Sequence, residues 1–401
     1  MDRRNFLKTS SLATGALFIP SFLKPFELQA MQRNAGTGKV LVVIQLSGGN
    51  DGLNTIVPYD NDLYYAKRKT LSIPKTDLIR LTDTQALNPA LAPLQEIYDQ
   101  GWMSLLNSVG YPNPDRSHFR SMDIWHSAST STEYLNTGWI GRYLDSNCAG
   151  CDKPYMALEV DDTLSLAMKG HTKKGLALRD PETLYKTTRD PFLKSLADAA
   201  APEMLSDDNL GYLYKTLIET YSSADYLNET SKTIDVTATY PDTPFGKQLK
   251  MISRFIQSGL QTKVYYVSLG GFDTHVGQKG SQDRLLKTWS EGVSAFLKDL
   301  KAAGKLDDTL VMTFSEFGRR VEQNASNGTD HGTANNLFLF GGKLNKKGVY
   351  NDAPDLTDLD NGDLKYKIDF RNVYSEVIHK WLDVTDEHIL NAKYPAMGII
   401  S

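Results

Sequence analysis

Four stretches of consecutive apolar, β-prone residues in this chain end abruptly on polar chemistry. Val40-Leu41-Val42-Val43-Ile44-Gln45-Leu46 runs into Ser47-Gly48-Gly49-Asn50-Asp51-Gly52, and Val264-Tyr265-Tyr266-Val267-Ser268-Leu269 runs into Gly270-Gly271-Phe272-Asp273-Thr274-His275. Leu310 to Phe314 stops at Ser315-Glu316-Phe317-Gly318-Arg319, and Trp102 to Asn107 leads through a short loop to Asp115-Arg116-Ser117-His118. Runs of this kind predict strands buried on both faces. Asn336 to Phe340 predicts another.

Helical spacing fills the intervals. Leu91, Leu94, Ile97 and Tyr98 share a face before Gly101, as do Phe245, Leu249, Ile252 and Ile256 before Gly259. From about Asp283 to Ala303 the apolar residues Leu286, Trp289, Val293, Phe296, Leu297 and Leu300 recur every three or four positions, and Gly304 ends the pattern. A last helix carries Val373, Val377, Ile378, Trp381 and Leu382. Strand, helix, strand in this order predicts an α/β fold with parallel pairing and right-handed crossovers. Residues 38–401 read as a single large α/β domain. Its stretch at about 163–231, polar and helical without strand signals, is an insertion that caps or flanks the sheet.

Composition narrows the function. Lys plus Arg total 44 and Asp plus Glu 48, a formal net charge of -4. No basic stripe points to nucleic acid. Residues 1–30 open with Asp2-Arg3-Arg4-Asn5-Phe6-Leu7-Lys8, followed by a mildly apolar stretch from Ser10 to Leu23 that Gly15 and Pro20 interrupt. This resembles a twin-arginine signal peptide, cleaved after Ala30. The resemblance implies passage of the folded protein through the twin-arginine export machinery to a periplasmic or otherwise exported location. The apolar stretch is too short for a stable membrane anchor. Residues 1–30 hold four cations and two acids, so their loss leaves a charge of -6. Cys148 and Cys151, separated by Ala149-Gly150, read as a local disulfide or two free thiols.

The strand ends supply the candidate chemistry, because open α/β sheets gather ligands beyond the carboxyl ends of their strands. Asp51, in its glycine-rich turn, is a candidate metal ligand. Asp273 and His275 stand two apart, so an extended segment presents both to one side. Asp330 and His331 repeat that pair of ligand types, and Glu316 adds a further carboxylate. Carboxylate with imidazole suits zinc or manganese, with calcium or magnesium as further candidates. Ser117, at the start of a helix, is a candidate nucleophile or a plain N-cap. Arg116 and Arg319 are candidate anion-binding groups, and Arg319 also lies one helical turn from Glu316. His118 and His126 read as packed or surface groups on their helix, not ligands.

Gln45 to Gly52, Arg116-Ser117-His118-Phe119, Gly271 to His275, Phe314 to Arg319 and Asp330-His331-Gly332 together resemble the exported bacterial family called domain of unknown function 1501. That group is placed in the alkaline phosphatase and sulfatase superfamily. The resemblance implies a doubly wound, mostly parallel central sheet with helices on both faces. It also implies hydrolysis of phosphate or sulfate esters by two divalent metal ions and a serine-type nucleophile. By order along the chain, Asp51, Asp273, His275, Glu316, Asp330 and His331 resemble the metal ligands and Ser117 the nucleophile, while Phe317 replaces a ligand histidine. The expected function is an exported metal-dependent hydrolase acting on a small-molecule or glycan-linked anionic ester. The alternative is a non-catalytic exported protein that recognises a glycan or a partner protein on the same fold.

Overall fold

A computed structural model describes residues 38–146, 153–198, 209–384 and 387–401. The twin-arginine pattern and both cysteines lie outside these residues. Residues 39–401 form one compact unit. No helix among the described residues is long and apolar enough to cross a membrane.

The apolar runs fold as expected, into one nine-stranded sheet. In chain order its strands are β1 (Val40–Leu46), β2 (Met103–Gly110), β3 (Ala157–Glu159), β4 (Leu176–Ala177), β5 (Val264–Leu269), β6 (Thr309–Phe314), β7 (Asn335–Phe340), β8 (Gly348–Val349) and β9 (Ile368–Asp369). They lie in the order β8-β2-β7-β6-β1-β5-β3-β4, with β9 also paired to β2. Every residue of β1 is buried, which requires cover on both faces. β1 pairs in parallel with β5 on one side and β6 on the other. Leu46 stands opposite Leu269 and Gln45 opposite Phe314, so the three strands end level and discharge their loops onto one rim.

Around the sheet lie α1 (Gly52–Thr55), α2 (His118–Ser127), α3 (Pro244–Gln257), α4 (Gln278–Ala302) and α5 (Phe370–Glu376). α4 begins before the apolar spacing does. Its first turn buries Gln278 and Gln282, which hydrogen-bond Asp51 and its neighbours. α5 continues into a π-helical turn, Val377–Trp381, and Trp381 Nε1 donates to the Val40 carbonyl 2.9 Å away.

Two expectations need correction. β7 runs antiparallel to both β6 and β2, because no crossover helix separates it from β6. The stretch at 163–231 is helical at Pro181–Thr188, Pro191–Asp198 and Asn209–Ser231, yet it also contributes β4 to the sheet edge. Two residues are too few to show a period.

Candidate metal centre

Two glycines let the strand-end loops meet. Gly48 has φ +115°, and a Cβ there would stand 2.5 Å from the Asp273 backbone nitrogen. Only a residue without a side chain fits between the β1 and β5 loops. Gly48 N donates to Glu316 Oε1 at 2.7 Å, which ties the β6 end to the same rim.

Asp273 is the hub. Its Oδ1 lies 3.0 Å from His275 Nε2 and 3.1 Å from His331 Nε2, and its Oδ2 lies 3.4 Å from His118 Nε2. The Nε2 atoms of His275 and His331 are 2.9 Å apart. Each imidazole is held from behind by its other nitrogen. His118 Nδ1 is 3.0 Å from Glu316 Oε1, His275 Nδ1 is 3.4 Å from Asp330 Oδ1, and His331 Nδ1 is 2.8 Å from the Arg116 carbonyl. Carbonyl and carboxylate oxygens only accept, so each imidazole meets an acceptor at both nitrogens, its outer partner at Nδ1 and Asp273 at Nε2.

With its proton on Nδ1, each imidazole would turn an Nε2 lone pair toward the carboxylate, an arrangement that needs positive charge among the donors. Donors about 2.0–2.1 Å from a tetrahedral ion stand about 3.3 Å apart, close to the separations here. Ligating atoms of His118, Asp273 and His331 all lie within 4.8 Å of one another. His118 Nε2 is buried without a hydrogen-bond partner. A divalent cation among His118, Asp273 and His331 would satisfy these three at once, with the outer partners of their Nδ1 atoms as the support that imidazole ligands need.

Electrostatics agrees with the geometry. Burial works against the Asp273 charge, but hydrogen bonds from Arg319 and His331 outweigh it and hold the carboxyl well below its ordinary range. The hydrogen bond to Glu316 raises His118 above the usual imidazole value, against a smaller desolvation effect. Hydrogen bonding by Asn324 lowers Asp330, and His275 adds to that effect. Behind the site His126 is sealed between Gln45 and Tyr266, and burial pushes its value down to about 4.

Of the residues expected to bind metal, the structure brings Asp273, His275 and His331 together. Glu316 and Asp330 instead hold imidazoles from the far side: Glu316 is fully buried with Oε1 turned to His118 and Gly48, and Asp330 faces Nδ1 of His275. Asp51 is not at the cluster. It caps α1 through Leu53 N and forms a buried ion pair with Arg68 at 2.5 Å, while Gln278 donates to the same oxygen. Its oxygens already serve three donors, one of which neutralises it. Arg319 is also reassigned. It is buried, and its Nε, Nη1 and Nη2 bond the carbonyls of Gly48, Gly49, Phe272 and Thr329 as well as Asp273 Oδ1, so the guanidinium is held within the loops and not presented to solvent. It positions the hub.

His118 was the residue missed. Its partner Glu316 lies 198 positions away, and the only local signal was its place at a helix start beside Arg116 and Ser117. Ser117 is exposed at the N-cap of α2, with its hydroxyl bonded to no backbone N–H of the helix. Its two chain neighbours both touch the cluster, Arg116 through its carbonyl and His118 through its ring. The Arg116 side chain is half-exposed and pairs with the buried Asp363. Phe317 packs its ring 4.8 Å from those of both His118 and His331.

Residues 107–388 match the family described as "Protein of unknown function (DUF1501)". The chain belongs to the DUF1501 family. No curated protein matches it. Among solved structures, this DUF1501 chain is similar at 10% identity to the lipoteichoic acid synthase LtaP of Listeria monocytogenes, with a TM-score of 0.35 and 79% of this chain and 69% of that one covered. The PsFucS1 sulfatase from Pseudoalteromonas sp. is 13% identical, with a TM-score of 0.34 over 82% and 68% of the two chains. A protein in the alkaline phosphatase superfamily from Vibrio parahaemolyticus is 10% identical, with a TM-score of 0.31 over 76% and 60%. Likeness at this distance carries no argument about chemistry, which rests on the residues of the DUF1501 chain itself.

Proposed function

We propose that this DUF1501 protein is an exported, divalent-metal-dependent hydrolase of phosphate or sulfate esters, with Ser117 as nucleophile. One observation carries the metal: three imidazoles, each anchored through Nδ1, aim Nε2 at a single carboxylate. His118, Asp273, His275 and His331 would hold the ion. Three nitrogens and an oxygen suit zinc or manganese better than calcium or magnesium. The expectation of two ions is reduced to one, because Asp51 and Glu316 are engaged elsewhere.

A bound cation supplies a Lewis acid beside the ester and favours ionisation of a nearby hydroxyl. Glu316, Asp330 and the Arg116 carbonyl keep the imidazoles oriented, and Arg319 keeps Asp273 ionised and fixed. Ser117 presents its hydroxyl at the amino end of a ten-residue helix, where backbone N–H groups favour developing negative charge. The Ser117 Oγ bond to phosphorus or sulfur forms as the ester oxygen departs and takes a proton. Water then releases the inorganic anion and restores the serine. The Arg116 guanidinium, half-exposed and paired on one side with Asp363, is the cation that would meet the anionic group. The twin-arginine pattern supports export.

Elemental analysis of purified protein tests the metal, with about one zinc or manganese per chain expected from four ligands around one ion. Activity on aryl phosphates and sulfates tests the chemistry. Ser117→Ala should keep the ion and lose turnover, whereas His331→Ala should lose both. Protein that neither retains nor responds to any divalent metal would sink the reading. The burial of Arg319 among loop carbonyls favours one alternative, a metal-holding protein that recognises a glycan or partner protein without turning it over. It predicts bound metal with no hydrolysis of any ester.

A further inference from the structure

Phe317 has two sides. One packs against His118 and His331, and the other walls a cavity of about 330 Å³. Glu316 is shared in the same way, holding His118 and also lining the cavity. The metal cluster and the cavity are therefore separated by the thickness of one side chain. The remaining wall includes Tyr111, Trp125, Leu364 and Tyr366.

The chemistry of that wall is selective. Trp125 is stacked between Phe314, 4.7 Å away, and Phe370, 4.2 Å away, so both ring faces are covered and only its edge meets the cavity. Its Nε1 is buried and lacks a hydrogen-bond partner. Glu316 already accepts from Gly48 and faces His118, and the Thr333 hydroxyl is spent on the Leu364 carbonyl. Asn113, Asp360 and Lys365 also line the cavity, with Lys365 Nζ paired to Asp358. A flat apolar ring fits the aromatic and aliphatic part of the wall, and one acceptor on it would use the Trp125 donor. The volume is at the small end of ligand sites and suits one ring. Tyr366, 39% exposed, stands where such a ring would enter.

We infer that this cavity receives the ring of an aromatic leaving group, making an aryl ester the preferred substrate over an alkyl ester. The ester part of this inference rests on the hydrolase reading, but the ring site does not. Phe317, standing where a ligand histidine would be expected, touches the imidazoles of His118 and His331 and also lines the cavity, so the ring site adjoins the cluster.

The test compares kcat/KM for 4-nitrophenyl and methyl phosphates and sulfates, using the metal-loaded full chain. Leu364→Trp fills the cavity. It should raise KM for the aryl ester by roughly tenfold or more while leaving the methyl ester and the metal content unchanged. Tyr366→Ala, at an exposed position, should act in the same direction and covers the case in which the buried substitution fails to fold. Saturation-transfer NMR with 4-methylphenol reads the ring site without turnover: binding should persist in His331→Ala and vanish in Leu364→Trp. Bound 4-methylphenol with no hydrolysis would uphold the ring site and defeat the hydrolase. Hydrolysis with no aryl preference, variants that shift both esters alike, or no 4-methylphenol binding would each overturn the inference.

Discussion

Replacing Asp51 with asparagine keeps size and shape while removing one half of an ion pair sealed from solvent. Side-chain exposure is 1% for Asp51 and 0% for Arg68, and their closest approach is 2.5 Å. Arg68 would keep its bonds to the carbonyls of Val321 and Arg320 and to Asn54 Oδ1, so its geometry is supported but its charge is left uncompensated. The new amide offers one acceptor and one donor where the carboxylate gave two acceptors. If its oxygen serves Arg68 and Gln278, its NH2 faces the Leu53 N–H. Breaking a buried pair on one side costs about 3–5 kcal/mol. Urea unfolding of the metal-loaded protein should show the midpoint falling by that equivalent with the slope unchanged. Because Asp51 lies outside the cluster, the folded variant should hold as much zinc or manganese as the parent. An Asp51→Asn protein of parental stability that has lost its metal would refute this and restore Asp51 as a ligand.

Two further outcomes are expected. Burial raises Glu159 to about 7 from an ordinary 4.5, so the folded protein binds this proton more tightly than the unfolded chain does. Its contribution is complete below pH 4.5 and is lost as pH rises through about 7, a swing of order 3 kcal/mol. Glu159→Gln should flatten that part of a stability profile, and an unaltered pH slope would reject the assignment. Gly49 has φ +73°, and a Cβ there would fall 2.3 Å from the Phe317 ring. Gly259 has φ +76° with open space around it. Gly259→Ala should therefore cost about 1–2 kcal/mol from backbone strain alone, and Gly49→Ala about 1–3 kcal/mol more from overpacking. Equal losses in urea melts of the two would remove the argument for tight packing at Phe317.

Much of the fold was legible because burial on both faces leaves uninterrupted apolar runs. β1, β2, β5, β6 and β7 were all readable on that ground. β3 and β4 are too short to leave such a trace, and the reversed direction of β7 depends on a missing crossover, not on its composition. The start of α4 was hidden for a related reason. Gln278 and Gln282 are buried by hydrogen bonds to Asp51 and its surroundings, and a hydrophobic pattern cannot register polar burial. At the site, a strand end pointed to Asp273 and His275, and the repeat of that Asp and His pair in a polar loop pointed to His331. Sorting ligands from their supports was beyond the sequence, since Glu316 and Asp51 differ only in which distant partner reaches them first. His118 looked like any histidine at a helix start until Glu316 was seen behind it.

The reversal of β7 has a consequence for how such a rim can change. The excursion from the end of β6 to the start of β7 leaves and returns at the same border of the sheet, carrying Glu316, Phe317, Arg319, Asp330 and His331 as it goes. One proposed ligand, the side chains that orient the other three and one wall of the neighbouring chamber thus travel as a single interchangeable cassette between two fixed anchor points. Related chains could exchange that cassette, altering both the ion they prefer and the molecule they admit, while every helical crossover stays in place.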